Sequence, residues 1–378
     1  MELLRIATSG SVDDGKSTLI GRLLFETDHI PTDRLKALEI SSQKRGLDFT
    51  DLSLLTDGLL AERAQGITID VAHIYFATKQ RKYIIADTPG HVEYTRNMIT
   101  GASNAEVSIV LIDARRGVLE QTKRHLFIAH LLKLPQVIIA INKMDLVDYD
   151  QAVFKSIEKE VLEAAKTMGL ESKLSFIPMS ALQGEGVTQH LGYQKWYNGS
   201  TLLELLEDIP VQAEVDQAAR FQVQHVIRPK SEAHPDFRGF AGAVESGVFE
   251  VGEEIRNTRT QQVSTVKKLE KWGSELPSSG KDLAVTVHLS DEIDARRGDV
   301  FIKNTSDQAA TKQVAADICW MNDRPLNPRS TYILQQGTQR TKAKVKDVSQ
   351  TVNMDNLEWE TAGEVHLNDI SKVSFKLA

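Results

Sequence analysis

Cysteine is almost absent from this 378-residue sequence, where Cys319 stands alone. One thiol cannot close a disulfide within the chain or supply paired zinc thiolates, and it suits a reducing compartment. Long apolar runs are missing too. The longest, such as Val107–Ile112 and Val137–Ile141, fall far short of the about 20 residues a membrane helix requires. The opening Met-Glu-Leu-Leu-Arg-Ile has no cleavable export pattern, so the expectation is a soluble cytoplasmic chain without a membrane partner. Positive charge is not in excess: 45 Lys plus Arg face 52 Asp plus Glu, a formal net charge of −7. That balance argues against a general nucleic-acid coat. What is present is ordinary globular composition, 41% hydrophobic and 26% charged. At roughly 150 residues per domain the length predicts two or three domains.

Through residue 212 or so, apolar strands alternate with helical stretches. Strands are expected at Leu3–Thr8, His73–Phe76, Tyr83–Ala86, Val107–Asp113, Val137–Asn142 and Ser175–Met179. Continuous apolar runs suit parallel strands covered on both faces. Between Asp150 and Gly169, the spacing of Phe154, Ile157, Val161, Ala165 and Met168 predicts one buried helix face. Helices are also expected over Gln121–Leu132 and Thr201–Asp208. The alternation implies a doubly wound, mostly parallel α/β sheet. From Phe221 onward only short strands with turns remain, which predicts small β-barrels. The expected domains are 1–212, a β-barrel over 213–306 and a second over 307–378, whose closing strands are expected to be missing after Lys376-Leu377-Ala378.

Gly10-Ser11-Val12-Asp13-Asp14-Gly15-Lys16-Ser17 fits G-x-x-x-x-G-K-[ST] between a strand and a helix, with Thr18 following. Its glycines let backbone N–H groups and a helix N-terminus face phosphates. Lys16 is expected on the β- and γ-phosphate oxygens and the Ser17 hydroxyl on Mg²⁺. Asn142-Lys143-Met144-Asp145 chooses the base. A carboxylate at Asp145 accepts from guanine N1–H and the 2-amino group. Adenine offers neither and would leave a charged group unpaired, at about 1–3 kcal/mol or more. Asn142 would hold the loop, the Lys143 stem would lie along the ring, and Ser180-Ala181-Leu182 would offer a backbone N–H to the guanine 6-oxo group. In Asp87-Thr88-Pro89-Gly90-His91, Asp87 would hold Mg²⁺ through water and the Gly90 N–H would sense the γ-phosphate. Thr68 would complete the metal shell, and a neutral His91 could orient the attacking water. Asp13 fits either a monovalent-cation site or a turn-stabilising aspartate. A P-loop kinase would not need Asn-Lys-x-Asp.

These motifs resemble the translation-factor class of GTPases, in which His follows Asp-x-Pro-Gly and a β-barrel follows the nucleotide domain. Gly10–Leu24, Asp57-Gly58-Leu59, Tyr94–Met98, Arg238-Gly239-Phe240-Ala241-Gly242 and Asp291-Glu292-Ile293-Asp294 are similar to the GTPase subunits of bacterial sulfate adenylyltransferases. His91-Val92-Glu93 departs from the Glu-Gln expected after the histidine. The resemblance implies a GTPase that uses GTP and Mg²⁺ and pairs, as a heterodimer or larger assembly, with a smaller ATP sulfurylase catalytic subunit. There, GTP hydrolysis would drive adenosine 5′-phosphosulfate and pyrophosphate formation from ATP and sulfate. The alternative is an elongation-factor-like GTPase that delivers aminoacyl-tRNA.

Two other features read as structural. Arg340, Lys342, Lys344 and Lys346 alternate with Thr341, Ala343 and Val345, which predicts a strand with one solvated basic face. No interleaved aromatic residues support RNA binding there. Cys319 lies in the mostly apolar stretch Ala315–Met321 and is expected to be packed. Asp33–Leu60 is expected to hold the first switch and its flanking helices.

Overall fold

The computed structural model describes residues 2–44, 46, 50–55, 71–88, 95–190, 196–210, 218–229, 237–281, 283–353 and 356–378. Thr68, Gly90 and His91 lie outside the described residues, as does most of the expected first switch. The chain divides into two compact units. One comprises Met1–Val211, Cys319–Pro325 and Gln350–Ser371; the other comprises Gln212–Ile318, Leu326–Ser349 and Lys372–Ala378.

The first unit is built on a six-stranded sheet of β1 (Leu3–Gly10), β2 (Ala72–Ala77), β3 (Lys82–Asp87), β4 (Val107–Asp113), β5 (Gln136–Asn142) and β6 (Lys173–Pro178). Their order is β2-β3-β1-β4-β5-β6; all pairs are parallel except β2 with β3. Every residue of β4 and β5 is buried, which is why their sequences are apolar without alternation. Side chains nevertheless alternate between two cores. Ile109 and Leu111 pack with Leu19, Ile20 and Leu23 of α1 (Lys16–Glu26), whereas Val110 and Ile112 pack on the other face.

In chain order the other helices are α2 (Thr32–Lys44), α3 (Thr95–Ala102), α4 (Glu120–Leu131), α5 (Gln151–Met168) and α6 (Leu202–Asp208). Sequence dictates both ends of α5. The Asp150 carboxylate accepts from Ala152 N–H at 2.8 Å, and Gly169 leaves the helix in the left-handed region at φ 69°. Its Phe154, Ile157, Val161 and Ala165 are buried as the spacing predicts, and Met168 is partly buried. Phe127 of α4 packs with Val352 and Ile370, flanked by Cys319 and Trp359. Burial pushes the Cys319 thiol up to about 11, away from reactive thiolate character.

The second unit contains β7 (Arg220–Ile227), β8 (Gly239–Ser246), β9 (Val248–Glu250), β10 (Glu254–Asn257), β11 (Val263–Lys271), β12 (Ser274–Leu276), β13 (Ser278–Gly280), β14 (Ala284–Leu289) and β15 (Val300–Lys303). The path β10-β15-β7-β8-β14-β11 returns to β10, which closes a six-stranded antiparallel barrel and leaves no edge on that ring. Phe221, Phe240, Phe249 and Phe301 fill it. Asp299 is buried beside the barrel in a closed polar network. Its Oδ1 accepts from Arg259 Nε at 2.8 Å, and its Oδ2 from Asn257 Nδ2 at 2.9 Å and Arg296 N at 3.1 Å.

A further antiparallel sheet runs β16-β20-β18-β17, formed by β16 (Gln313–Cys319), β20 (Ile370–Leu377), β18 (Gln339–Asn353) and β17 (Thr331–Gln336); β19 (Glu358–Thr361) also pairs with β18. On β18, Arg340, Lys342, Lys344 and Lys346 are exposed while Ala343 is buried, the solvated basic face that the alternation predicts.

Candidate nucleotide site

Parallel pairing brings the carboxyl ends of β1, β3, β4, β5 and β6 to one edge of the sheet, where ligands of open α/β sheets bind. The loop from Ser11 to Gly15 leaves β1 there and turns into α1. Asp14 stabilises that turn twice: its N–H donates to Ser11 O at 3.1 Å, and its Oδ2 accepts from Ser11 N–H at 2.7 Å. Gly15 has φ 93°, and an added Cβ would lie 2.4 Å from Asn142 Nδ2, so only glycine fits. Asp13 is exposed and also has positive φ, at 71°.

Lys16, the first residue of α1, is buried and lies 3.0 Å from Asp87 Oδ1 at the end of β3; it also donates to Thr88 O. Thr88 Oγ1 in turn donates to Thr8 O at 2.7 Å, tying this turn to β1. A buried ammonium beside a carboxylate is compensated charge, held where phosphates would enter. Ser17 and Thr18 follow on the same helix, partly buried.

Asn142, at the end of β5, joins the loops. Its Nδ2 donates to Asp14 O at 2.7 Å and its Oδ1 accepts from Ala181 N–H at 2.9 Å. Lys143 adopts a left-handed conformation, φ 62°, and donates to Asp13 O. Its Nζ also lies 2.9 Å from Asp113 Oδ2. Burial opposes ionisation of Asp113, but hydrogen bonds from Arg115 and Lys143 prevail and hold its carboxyl well below the usual carboxylate range. Asp145 is the second residue of the short 3₁₀ turn Met144–Val147, and its buried Oδ1 has no hydrogen-bond partner among the described residues. Asp14 Oδ1 is likewise buried and unpartnered; burial, partly offset by the Ser11 N–H, pushes this carboxyl up to about 6.

The Ser180-Ala181-Leu182 turn follows β6. Ser180 N–H donates to Glu185 O at 2.9 Å, Gly184 N–H donates to Ser180 O at 2.8 Å, and Leu182 is exposed. The structure therefore brings Ser11–Lys16, Asp87, Asn142, Lys143 and Ala181 into one hydrogen-bonded group. Arg22, Asp113 and Arg116 were not legible as members. Arg116 Nη1 donates to Val12 O at 3.2 Å, across 104 residues of sequence.

The arrangement fits a purine nucleotide with a divalent cation. Asp145 carries an unsatisfied buried acceptor, Lys16 a buried cation, and Ser17 with Asp87 an oxygen donor set suited to Mg²⁺. Among the described residues no three His, Cys, Asp or Glu converge as a metal cage. Mg²⁺ held by one or two protein oxygens plus phosphates needs none. No helix of the described residues is long and apolar enough to cross a membrane.

Known proteins place the chain. The elongation factor Tu GTP binding domain profile matches residues 1–212, and the GTP-eEF1A C-terminal domain-like profile matches residues 313–378. Sulfate adenylyltransferase subunit 1 of Vibrio cholerae serotype O1 is 47% identical over 371 residues, 97% of this chain and 77% of the relative. That of Saccharophagus degradans is 46% identical over 379 residues, covering 100% of this chain and 79% of the relative. The Saccharomyces cerevisiae Ski7 GTPase-like domain, bound to GDP and inorganic phosphate, has a TM-score of 0.54. It covers 100% of this chain and 90% of that one at 16% identity, a likeness of fold alone. The chain therefore belongs to the sulfate adenylyltransferase subunit 1 family and carries a GTP-binding domain of the elongation factor Tu type.

Proposed function

We propose that this chain is the GTPase subunit of a sulfate adenylyltransferase. Its GTP hydrolysis drives a separate, smaller catalytic subunit to make adenosine 5′-phosphosulfate and pyrophosphate from ATP and sulfate. The observation that carries base choice is the buried, unpartnered Asp145 Oδ1 in a loop whose Asn142 is locked to both the phosphate loop and Ala181. That carboxylate accepts from guanine N1–H and the 2-amino group, while the Ala181–Leu182 peptide faces the 6-oxo group. Residues 1–212 form the nucleotide domain, 213–306 the barrel, and 307–378 the last β-domain.

Lys16 leaves Asp87 to bind the β- and γ-phosphate oxygens, and N–H groups of residues 10–18 surround them. Ser17, Thr68 and, through water, Asp87 would hold Mg²⁺, which when bound would neutralise charge developing on the phosphates. In this reading Gly90 N–H would contact the γ-phosphate and His91 would orient the water. The site is cytoplasmic in this reading. His91→Ala is expected to keep GTP affinity and to lose about 10²–10⁴-fold of partner-stimulated turnover. Unchanged turnover would make His91 structural.

The test of the whole reading measures adenosine phosphosulfate with the chain alone, the catalytic subunit alone and both together, with and without GTP. The chain alone is expected to hydrolyse GTP slowly and make no phosphosulfate. The pair is expected to make it in a GTP-dependent way. Synthesis at full level without GTP, or capture of aminoacyl-tRNA in place of a catalytic subunit, would overturn it.

A further inference from the structure

The base-facing turn is held from the phosphate-loop helix by a residue that the nucleotide motifs do not include. Arg22 lies on α1, six positions after Lys16, with its side chain 15% exposed. Its Nε donates to Ala181 O at 3.1 Å and its Nη2 donates to Leu182 O. Its Nη1 lies 3.3 Å from Glu26 Oε1, one turn further along the helix, which fixes the plane of the guanidinium. The turn closes tightly on this pair. Gly184 has φ 89°, and an added Cβ there would stand 3.0 Å from Glu26 Oε1 and 3.5 Å from Arg22 Cδ. A guanidinium fork can serve two successive carbonyls with fixed spacing, which an ammonium cannot reproduce.

Ala181 O and Leu182 N–H belong to the same peptide group. A charged donor on the carbonyl polarises that peptide and strengthens the N–H at its other side. The neighbouring Ala181 N–H is already engaged by Asn142 Oδ1 at 2.9 Å, so the Leu182 N–H is the donor the turn offers to a base. We infer that Arg22 is a positioning residue for base selection, holding the Ala181–Leu182 peptide so that Leu182 N–H meets the guanine 6-oxo group. The inference rests on the guanine-site reading above and adds the residue that aims its 6-position contact. It also makes α1 common to both ends of the nucleotide: Lys16 serves the phosphates and Arg22 the base.

The test compares affinities of the purified chain for GTP, 6-thioguanosine triphosphate and xanthosine triphosphate, in the parent and in Arg22→Ala. The thio-nucleotide differs from GTP only at the 6-position, and the xanthine nucleotide differs at the 2-position served by Asp145. Arg22→Ala is expected to weaken GTP about tenfold, the worth of one well-placed hydrogen bond. It should shrink the preference for GTP over the thio-nucleotide while leaving the preference over the xanthine nucleotide as in the parent. Arg22→Gln, which keeps one donor, should fall between them and serves alone if Arg22→Ala does not fold. An equal loss on all three nucleotides would make Arg22 a structural residue and overturn the inference. A parent that does not distinguish GTP from the thio-nucleotide would instead sink the 6-oxo contact itself, and with it the role given to Arg22.

Discussion

Asp14 and Asp145 of the nucleotide unit contrast with Asp299 of the barrel unit, although Asp113 of the nucleotide unit is as fully paired as Asp299. In the barrel unit, both oxygens of Asp299 are hydrogen-bonded, and Arg259, Asn257 and the Arg296 N–H form a network closed on itself. In the nucleotide unit, Asp14 and Asp145 each keep one buried oxygen without a partner. Burial raises the Asp14 carboxyl, whereas at Asp299 burial is outweighed by Arg259 and Asn257 and the carboxyl is lowered. A closed network serves stability. An open valence in a buried acid is costly to the empty fold and makes sense where a ligand completes it.

The strongest way to break this contrast is to remove the cation of the nucleotide unit. Lys16→Ala is expected to lower GTP and GDP affinity by roughly a hundredfold, the worth of charged hydrogen bonds to phosphate, with circular dichroism unchanged. Titration calorimetry reads it, and retained affinity would remove Lys16 from the phosphate site.

The pH response comes next. Asp14 has a folded pKa raised from 3.8 to about 6, so its stabilising contribution is complete below 3.8 and is lost as pH rises through about 6. Asp14→Asn removes that loss while keeping an acceptor for Ser11 N–H. Without nucleotide, the variant should match the parent at low pH and resist urea better than the parent at neutral pH. Asp299 has the opposite sign: its contribution is present above the ordinary carboxylate range and is lost as pH falls. Parallel urea curves for the parent and Asp14→Asn at every pH would refute the Asp14 assignment.

Asp299→Ala should sharpen the comparison from the other side. It removes one acceptor residue each from the buried Asn257 and the partly exposed Arg259, which keep Asp294, and should cost about 2 kcal/mol of unfolding free energy. GTP affinity should stay as in the parent, and a matching loss of GTP affinity would show that the network serves the site. The smallest expected effect is Asp145→Asn, which should weaken GTP about tenfold and improve xanthosine triphosphate, whose 2-oxo group needs a donor. Equal affinities in variant and parent would remove Asp145 from the base site.

Strands β1 to β6 and helix α5 were legible because their apolar residues run continuously or at helical spacing. The loops that carry Lys16, Asp87, Asn142 and Ala181 were legible because each follows such a strand. Strand β10, which closes the barrel, was not: Glu254-Ile255-Arg256-Asn257 has one apolar residue in four, too little for a period. Nor was the full length of β18, where Gln350-Thr351-Val352-Asn353 carry the strand beyond the basic alternation of Arg340–Lys346 by pairing with β19. Arg22 and Asp299 escaped for a different reason. Their partners lie 159 and 40 residues away, and a lone charged residue carries no sign of so distant a neighbour.

The Asn142 carboxamide works because its two ends differ, an NH₂ toward Asp14 O and an oxygen toward Ala181 N–H. Spontaneous deamidation, the slow ageing reaction of asparagine, would replace that NH₂ with a second oxygen and set it against a carbonyl at the 2.7 Å now spanned by a hydrogen bond. The two loops would part with no residue lost and hardly any change in mass. Molecules aged at this one position would look intact on a denaturing gel and are expected to bind nucleotide less tightly; Asn142→Asp reproduces the aspartyl product for a direct binding measurement.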